Sequence, residues 1–344
     1  MQAPGYHTRN EIFSQPEAWT ATLDTFRGYA DELRALWQNG QYDSVVFTGC
    51  GSPYYLALTA ASMFQEFVGT PARGVPASEI WLNQQAVLPP AGRTLLITLS
   101  RSAETTETIR AVETFRAAGR GDVLTLSCYP DRPLATIGDV NLVFPAGQEE
   151  SMAQTRAFTT LQLAATALVA LWANRDDLLE QLQQLPDVCR RILETYSPLM
   201  HTLGTDTSIN RFYFLGSGAR YGLASELSLK MKEMSISHSE PFHVLEFRHG
   251  PRAMATDGAL IVGLVSESNQ AHEQAVLEDM RAQGARSLAI GEHGTDVAFD
   301  SGVHEAVRNL LYLPVGQMLA FERALHNGSN PDQPANLAAV VTLK

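Results

Sequence analysis

The sequence predicts an α/β protein built from two tandem copies of one unit, each a parallel sheet flanked by helices in a three-layer sandwich. Three observations carry that expectation. "FTGCGSPYYLA" (47–57) and "FLGSGARYGLA" (214–224) agree at six of eleven positions at an offset of 167 residues. Near the same offset, "LLITL" then "RAAG" (95–99, 116–119) is matched by "LIVGL" then "RAQG" (260–264, 281–284), so strand, helix and terminating glycine recur together. Within each copy, apolar strands alternate with amphipathic helices, the pattern of parallel βαβ units.

In chain order, residues 17–38 read as a helix within an N-terminal arm, 1–39. The first copy, 40–175, opens with the strand "SVVFTGCG" and the helix "PYYLALTAASMFQEFVG", with Ser52 as N-cap and Pro53 at the first helical position. "TLLITLS" is the next strand, "AETTETIRAVETFRAAG" its helix, Gly119 the helix stop and "DVLTLSC" the strand that follows. "LQLAATALVALWA" (161–173) has 13 residues, against about 20 needed to cross a bilayer, and so reads as a buried helix. Residues 176–207 form a helical connector broken by Pro186. The second copy runs 208–325, and the tail 326–344, rich in Asn, Pro and Gly before a short apolar end, is expected to lie extended over the body.

Composition narrows the function classes. With 344 residues, 45% apolar and 18% charged, the chain fits two ordinary soluble domains. The 25 Lys and Arg against 37 Asp and Glu give a formal charge of −12, which argues against a nucleic acid or a membrane as partner. Cys50, Cys128 and Cys189 lie 78 and 61 residues apart, giving neither a CxxC pair nor an even disulfide framework, and a reducing cytoplasm fits best. The N-terminus, "MQAPGYHTRNEIFSQPEAW", has no apolar h-region of a signal peptide.

Ligands of parallel sheets bind at the carboxyl ends of strands, where helix N-termini present unpaired N–H groups. Ser100, Ser102 and Thr105 of "SRSAETTET" fall at such an end, and Arg101 adds a charge beside them. Two readings stand: a cradle for a small phosphorylated ligand, or an ordinary N-cap at Ser100 or Ser102 with Thr105 on the surface. "GCGS" (49–52) occupies another such turn but lacks the third glycine of G-x-G-x-x-G, Tyr54 standing there, so no nicotinamide or flavin cofactor is expected. Its glycines admit a close ligand, or simply a tight turn.

"ELSLKMKEMSISHSEPFHVLEFRHGP" (226–251) is the stretch densest in acid-base groups. Lys230 and Glu233 are three apart and share a helix face, while Gly250 and Pro251 force a turn that exposes His249. A carboxylate and an imidazole in one site can move protons near neutral pH; singly, each also reads as a solvated helix residue and a turn histidine. His238, His243 and His249 have spacings that match neither HExxH nor a one-face pair, so no metal is expected.

Taken together, these motifs resemble the double sugar-isomerase (SIS) domain family, most of all the isomerase half of glutamine:fructose-6-phosphate aminotransferase. The likeness runs through "NEIFSQPEAW", "GCGSPYYLA", "SRSAETTET", "QTRAFTT", "LGSGARYGLASELSLKMKE", "EFRHGP" and "DQPANLAAVVTL". It implies a flavodoxin-like layered fold, a phosphorylated sugar as ligand with no cofactor, and a homodimer in which His249 reaches the neighbouring subunit's site. It further implies that Ser52, Ser100, Arg101, Ser102 and Thr105 hold the phosphate, that Cys50 and Gly51 line the sugar pocket, and that Ala153 is a further substrate- or phosphate-binding residue. Glu233 would be the base between C1 and C2, Lys230 its electrostatic partner and His249 the ring-opening group. Pro53 and Ala103 depart from the family's Ser and Gly, and Ala339 stands where the aminotransferase has a lysine that approaches the open-chain sugar. No glutaminase half is expected before the repeat.

The expectation is therefore an aminosugar-6-phosphate deaminase of glucosamine 6-phosphate type, releasing ammonia and a ketose phosphate. A ketose/aldose phosphate isomerase and a fructosamine-6-phosphate deglycase share the same cradle. A sugar-phosphate sensor is the rival outside catalysis, although 1–40 offers no helix-turn-helix pair.

Overall fold

The computed structural model describes residues 2–338. Two helices, α1 (Tyr6–Phe13) and α2 (Gln15–Gly40), stand where the sequence suggested one over 17–38. The first copy follows as β1 (Ser44–Gly49), α3 (Ser52–Val68), β2 (Ala72–Pro76), α4 (Ala77–Leu82), α5 (Gln84–Val87), β3 (Thr94–Ser100), α6 (Thr106–Ala117), β4 (Val123–Ser127), β5 (Val140–Val143) and α7 (Arg156–Trp172). Two connecting helices, α8 (Asp176–Leu182) and α9 (Leu185–Thr205), lead to β6 (Arg211–Leu215), α10 (Arg220–Ser235), β7 (His238–Phe242), β8 (Ala259–Leu264) and α11 (Gln270–Ala282). The chain then forms β9 (Arg286–Gly291), β10 (Val297–Ala298), α12 (Glu305–Arg308) and α13 (Tyr312–His326).

Both sheets are five-stranded and parallel, in the orders β2-β1-β3-β4-β5 and β7-β6-β8-β9-β10. The strand order is thus the same in both copies, as expected of a duplicated α/β unit. Contacts divide the chain into two compact units, one of Glu17–Glu149 with Arg156–Gln183, the other of the N-terminal residues to Pro16, Glu150–Thr155 and Gln184–Leu337.

The repeated G-x-G has a backbone cause at each glycine. A Cβ on Gly49 would stand 2.5 Å from Pro53 Cβ, and one on Gly216 would stand 2.3 Å from the Arg220 carbonyl oxygen, so in both copies the strand end lies against the helix that follows. Gly51 and Gly218 instead have φ of 62° and 58° with open space where a Cβ would be, so there the requirement is conformational. Gly51 is accordingly the N-cap of α3, and Ser52, expected in that role, is the first helical residue.

In the first unit, α7 is buried along its length from Ala157, as expected for 161–173. Trp172 stacks on Trp37 of α2 with ring centroids 5.0 Å apart and an interplanar angle of 20°, and Phe64 of α3 meets both edge-on. Such pairs contribute about 0.5–1.5 kcal/mol each beyond the area they bury. Gly119, with φ 61°, ends α6 as expected.

The break in the connector falls at Gln183–Gln184, before Pro186, because proline suits the first turn of a helix better than its interior. The tail from 327 to 338 is a series of turns, not an extended segment. The Asp332 carboxylate accepts the Thr8 N–H and hydroxyl at 2.8 Å each, tying the tail to α1 within one unit. Ala339 and the terminal Lys344 lie outside the described residues. Among the described residues no helix is long and apolar enough to cross a membrane.

Candidate functional site

β1 and β3 are neighbours in the first sheet though not consecutive in the chain, so the turns that follow them part at their carboxyl ends, where open α/β sheets leave a ligand crevice. The structure brings "GCGS" and "SRSAETTET" to that edge. Cys50 Sγ lies 3.6 Å from Thr108 Oγ1, joining the two turns. Burial pushes the Cys50 thiol pKa up, so Cys50 is suited to line a pocket and not to attack.

The helix after β3 begins later than the sequence suggested, at Thr106, with Thr105 in the N-cap position by its backbone and making no side-chain cap. Neither Ser100 nor Ser102 is therefore the N-cap. Ser100 is buried and its Oγ accepts the Ala103 N–H at 3.1 Å, which closes the loop on itself. The Ser102 and Thr105 hydroxyls stand 3.4 Å apart and half-buried, and Ser102 Oγ also accepts the Glu104 N–H at 3.4 Å. Ser52, the first residue of α3, is buried at the same strand edge. Ala103 holds φ 57° at the point where the resembling family has glycine, and its methyl is fully buried within the apolar cluster that also holds Val46, Leu96 and Phe115.

Arg101 is not a free cation. Its guanidinium meets Glu149 Oε2 at 3.2 Å with both side chains almost wholly buried, and Glu149 Oε1 also accepts the Ala157 N–H at 3.1 Å at the start of α7. Glu104, likewise, pairs with Arg132 at 2.6 Å. The loop is close to electrically balanced, leaving hydroxyls and N–H groups as its means of holding an anion.

In the second unit, α10 carries Lys230 and Glu233 on one face, as their spacing predicts. Lys230 is fully buried, hydrogen-bonds Glu233 and lies 3.3 Å from Glu226 Oε1. The Glu233 side chain keeps 18% of its surface exposed. A buried ammonium between two carboxylates fixes the rotamer of the outer one while leaving it reachable. Glu226 escaped the sequence reading, although its place four residues before Lys230 and seven before Glu233 is a one-face helical signal. Glu149 could not have been found this way, since 48 residues separate it from Arg101.

His249 sits exposed at the turn before Gly250, whose φ is 120°, and its side chain has no hydrogen-bond or ion-pair partner among the described residues. Ala153 is buried, and its carbonyl accepts the Ser151 hydroxyl at 3.2 Å. The strand β7, unforeseen in the sequence, follows α10 and pairs with β6 as the edge of its sheet. His243, just beyond it, stacks on Tyr221 with centroids 4.0 Å apart. Among the described residues no group of three or more His, Cys, Asp or Glu could hold a metal ion.

Comparison with known proteins agrees with this architecture. The glutamine–fructose-6-phosphate aminotransferase (isomerizing) of Xylella fastidiosa is 30% identical over 98% of this chain and 59% of its own length. That of Methanothermobacter thermautotrophicus is 27% identical over 97% of this chain and 57% of its own. The chain thus spans less than two thirds of the curated relatives it matches. Among solved structures, a glucosamine-6-phosphate deaminase from Thermotoga maritima superposes with a TM-score of 0.80 at 27% identity, covering 98% of this chain and 100% of that one. A tagatose-6-phosphate ketose/aldose isomerase from Escherichia coli superposes with a TM-score of 0.86 at 24% identity, covering 97% and 98%, and bears on the fold alone. The SIS domain model matches residues 41–171 and 207–306, one segment in each copy of the repeat, and the chain belongs to the SIS domain family.

Proposed function

We propose that the protein is a phosphosugar isomerase that acts on aminosugar 6-phosphates as a deaminase of glucosamine 6-phosphate type. The observation that carries this reading is the Lys230–Glu233 pair, a part-exposed carboxylate whose position is set by a fully buried ammonium. The likeness to the Thermotoga maritima deaminase over nearly the whole of both chains supports the amino sugar as substrate class.

In this reading Ser52, Ser100, Ser102 and Thr105 hold the phosphate as a handle, with Arg101 as the neutralised base of the loop. Cys50 and Gly51 line the sugar. Binding energy from the remote phosphate then orients the reacting carbons. His249 opens the ring by transferring the proton of the anomeric hydroxyl to the ring oxygen. Glu233 removes the C2 proton, giving an enolamine, and returns a proton to C1. The resulting C2 imine takes up water and breaks into ammonia and a ketose 6-phosphate. The assembly is a homodimer in which His249 serves the neighbouring subunit's site.

The test is ammonia release and ketose-phosphate formation from glucosamine 6-phosphate, galactosamine 6-phosphate and a fructosamine 6-phosphate, without glutamine or metal. The expected result is equimolar ammonia and ketose phosphate from one amino sugar, with Glu233→Gln slower by about 10²–10⁴-fold and still binding substrate. Aldose–ketose exchange without ammonia would replace the deaminase by a plain isomerase. Activity regained on mixing Glu233→Gln with His249→Ala chains is expected of the dimer; an active monomer in sedimentation would remove the role in trans.

A further inference from the structure

The β8–α11 loop of the second unit occupies the place that the β3–α6 loop occupies in the first, beside the second G-x-G turn. Its donors are already engaged. Ser266 gives both its N–H and its hydroxyl to Glu273 Oε2, at 2.6 and 2.9 Å. Ser268 gives its N–H to Glu305 Oε2 at 3.1 Å and its hydroxyl to Glu305 Oε1 at 3.4 Å. Arg220, which stands in the repeat where the first copy has Pro53, sends NH1 to Glu305 Oε1 at 2.6 Å and has NH2 3.8 Å from Glu273 Oε1. Three donors from two segments thus surround one carboxylate, at the N-terminal end of a 13-residue helix.

Burial separates the two carboxylates. The Glu273 side chain is 4% exposed, whereas that of Glu305 is 22% exposed and arrives from the start of the short α12. The Arg220 side chain is 8% exposed, and its Nε has no hydrogen-bond partner among the described residues. A buried guanidinium needs an anion, and here the chain's own glutamate supplies it from the solvent side.

We propose that the second copy retains an anion site for a phosphate group, built on Arg220 and Ser268, which the Glu305 carboxylate occupies and keeps closed. Neutralising Glu305 exposes the site to an outside phosphate, because Arg220 then lacks its nearest counter-charge while Ser268 keeps its N–H and hydroxyl. The inference stands on the second unit alone and does not depend on what the first loop binds.

The experiment is a titration of the full-length chain with inorganic phosphate, followed by equilibrium dialysis. It starts from Ser100→Ala/Ser102→Ala, which disables the first loop. In that background Glu305→Ala and Glu305→Gln are each expected to bind one phosphate per chain at least tenfold more tightly than the parent, and adding Arg220→Gln is expected to abolish the gain. No gain in folded Glu305 variants overturns the proposal, as does a gain that survives Arg220→Gln. Failure of both Glu305 variants to fold overturns it too, since a carboxylate that only fills an anion site is dispensable for folding. Phosphate binding that persists in the starting background and resists Arg220→Gln counts against the first-loop reading and leaves this one standing.

Discussion

After β3, the Ser102 and Thr105 hydroxyls face each other, and the nearby cation Arg101 is balanced from behind by Glu149. After β8, in the same place of the same strand order, Ser266 and Ser268 are committed to Glu273 and Glu305, and Arg220 closes the arrangement. The adjoining G-x-G turns do not differ in this way, since both copies keep a first glycine for close approach and a second for its positive φ. Duplication has preserved what the backbone requires and let the side chains part. The shared glycines therefore report the fold, and the unshared hydroxyls and carboxylates report what each loop holds.

The strongest way to break this comparison is through the second loop. Glu273→Ala removes a buried carboxylate and strands its donors, so stability should fall by about 3–5 kcal/mol in urea unfolding while the phosphosugar KM stays within about twofold. Unchanged stability would show that the second loop is not held by its own anion. The first loop should give the opposite pattern. If the proposed function holds, Ser102→Ala with Thr105→Val removes two hydroxyls from a charged ligand, at about 1.5–3 kcal/mol per bond, and should raise KM at least tenfold with little change in melting temperature. An equal loss of stability there would make these hydroxyls structural.

The shared part can be tested as a pair. Gly49→Ala and Gly216→Ala each force a methyl group against the following helix, and each should cost about 1–3 kcal/mol; a large inequality in urea midpoints would show that the turns are less alike than their geometry. The smallest effect belongs to Ala103→Gly. Relief of a left-handed residue is worth about 1–2 kcal/mol, and the lost buried methyl together with the freer unfolded chain costs a similar amount. The midpoint should move by less than about 0.5 kcal/mol, which accounts for alanine being tolerated at this position.

The duplicated sheet was legible because two short motifs fix the repeat and strand–helix alternation fixes the class. Helix starts were less legible. Ser52 and Pro53 look like cap and first turn, yet the φ of Gly51 places the cap one residue earlier, and the helix after β3 starts at Thr106, three residues beyond Ala103, because Ala103 turns back onto Ser100. The strand "HSEPF" gives no clear alternation and forms by pairing with β6, a tertiary cause. Lys230 and Glu233 were readable from helical spacing, and Glu226 equally so. The partner of Arg101 was not, since Glu149 reaches it only through the fold.

The Arg101–Glu149 pair has a kinetic consequence. A loop whose cation is already matched exerts no long-range pull on a dianionic sugar phosphate, and the surrounding chain carries a formal charge of −12. Approach is then opposed within about a Debye length, about 8 Å at physiological ionic strength, while in the proposed function the grip itself depends on short hydroxyl and N–H contacts that salt scarcely weakens. Added salt should quicken association and leave dissociation nearly unchanged, the reverse of an enzyme that gathers phosphates with exposed lysines.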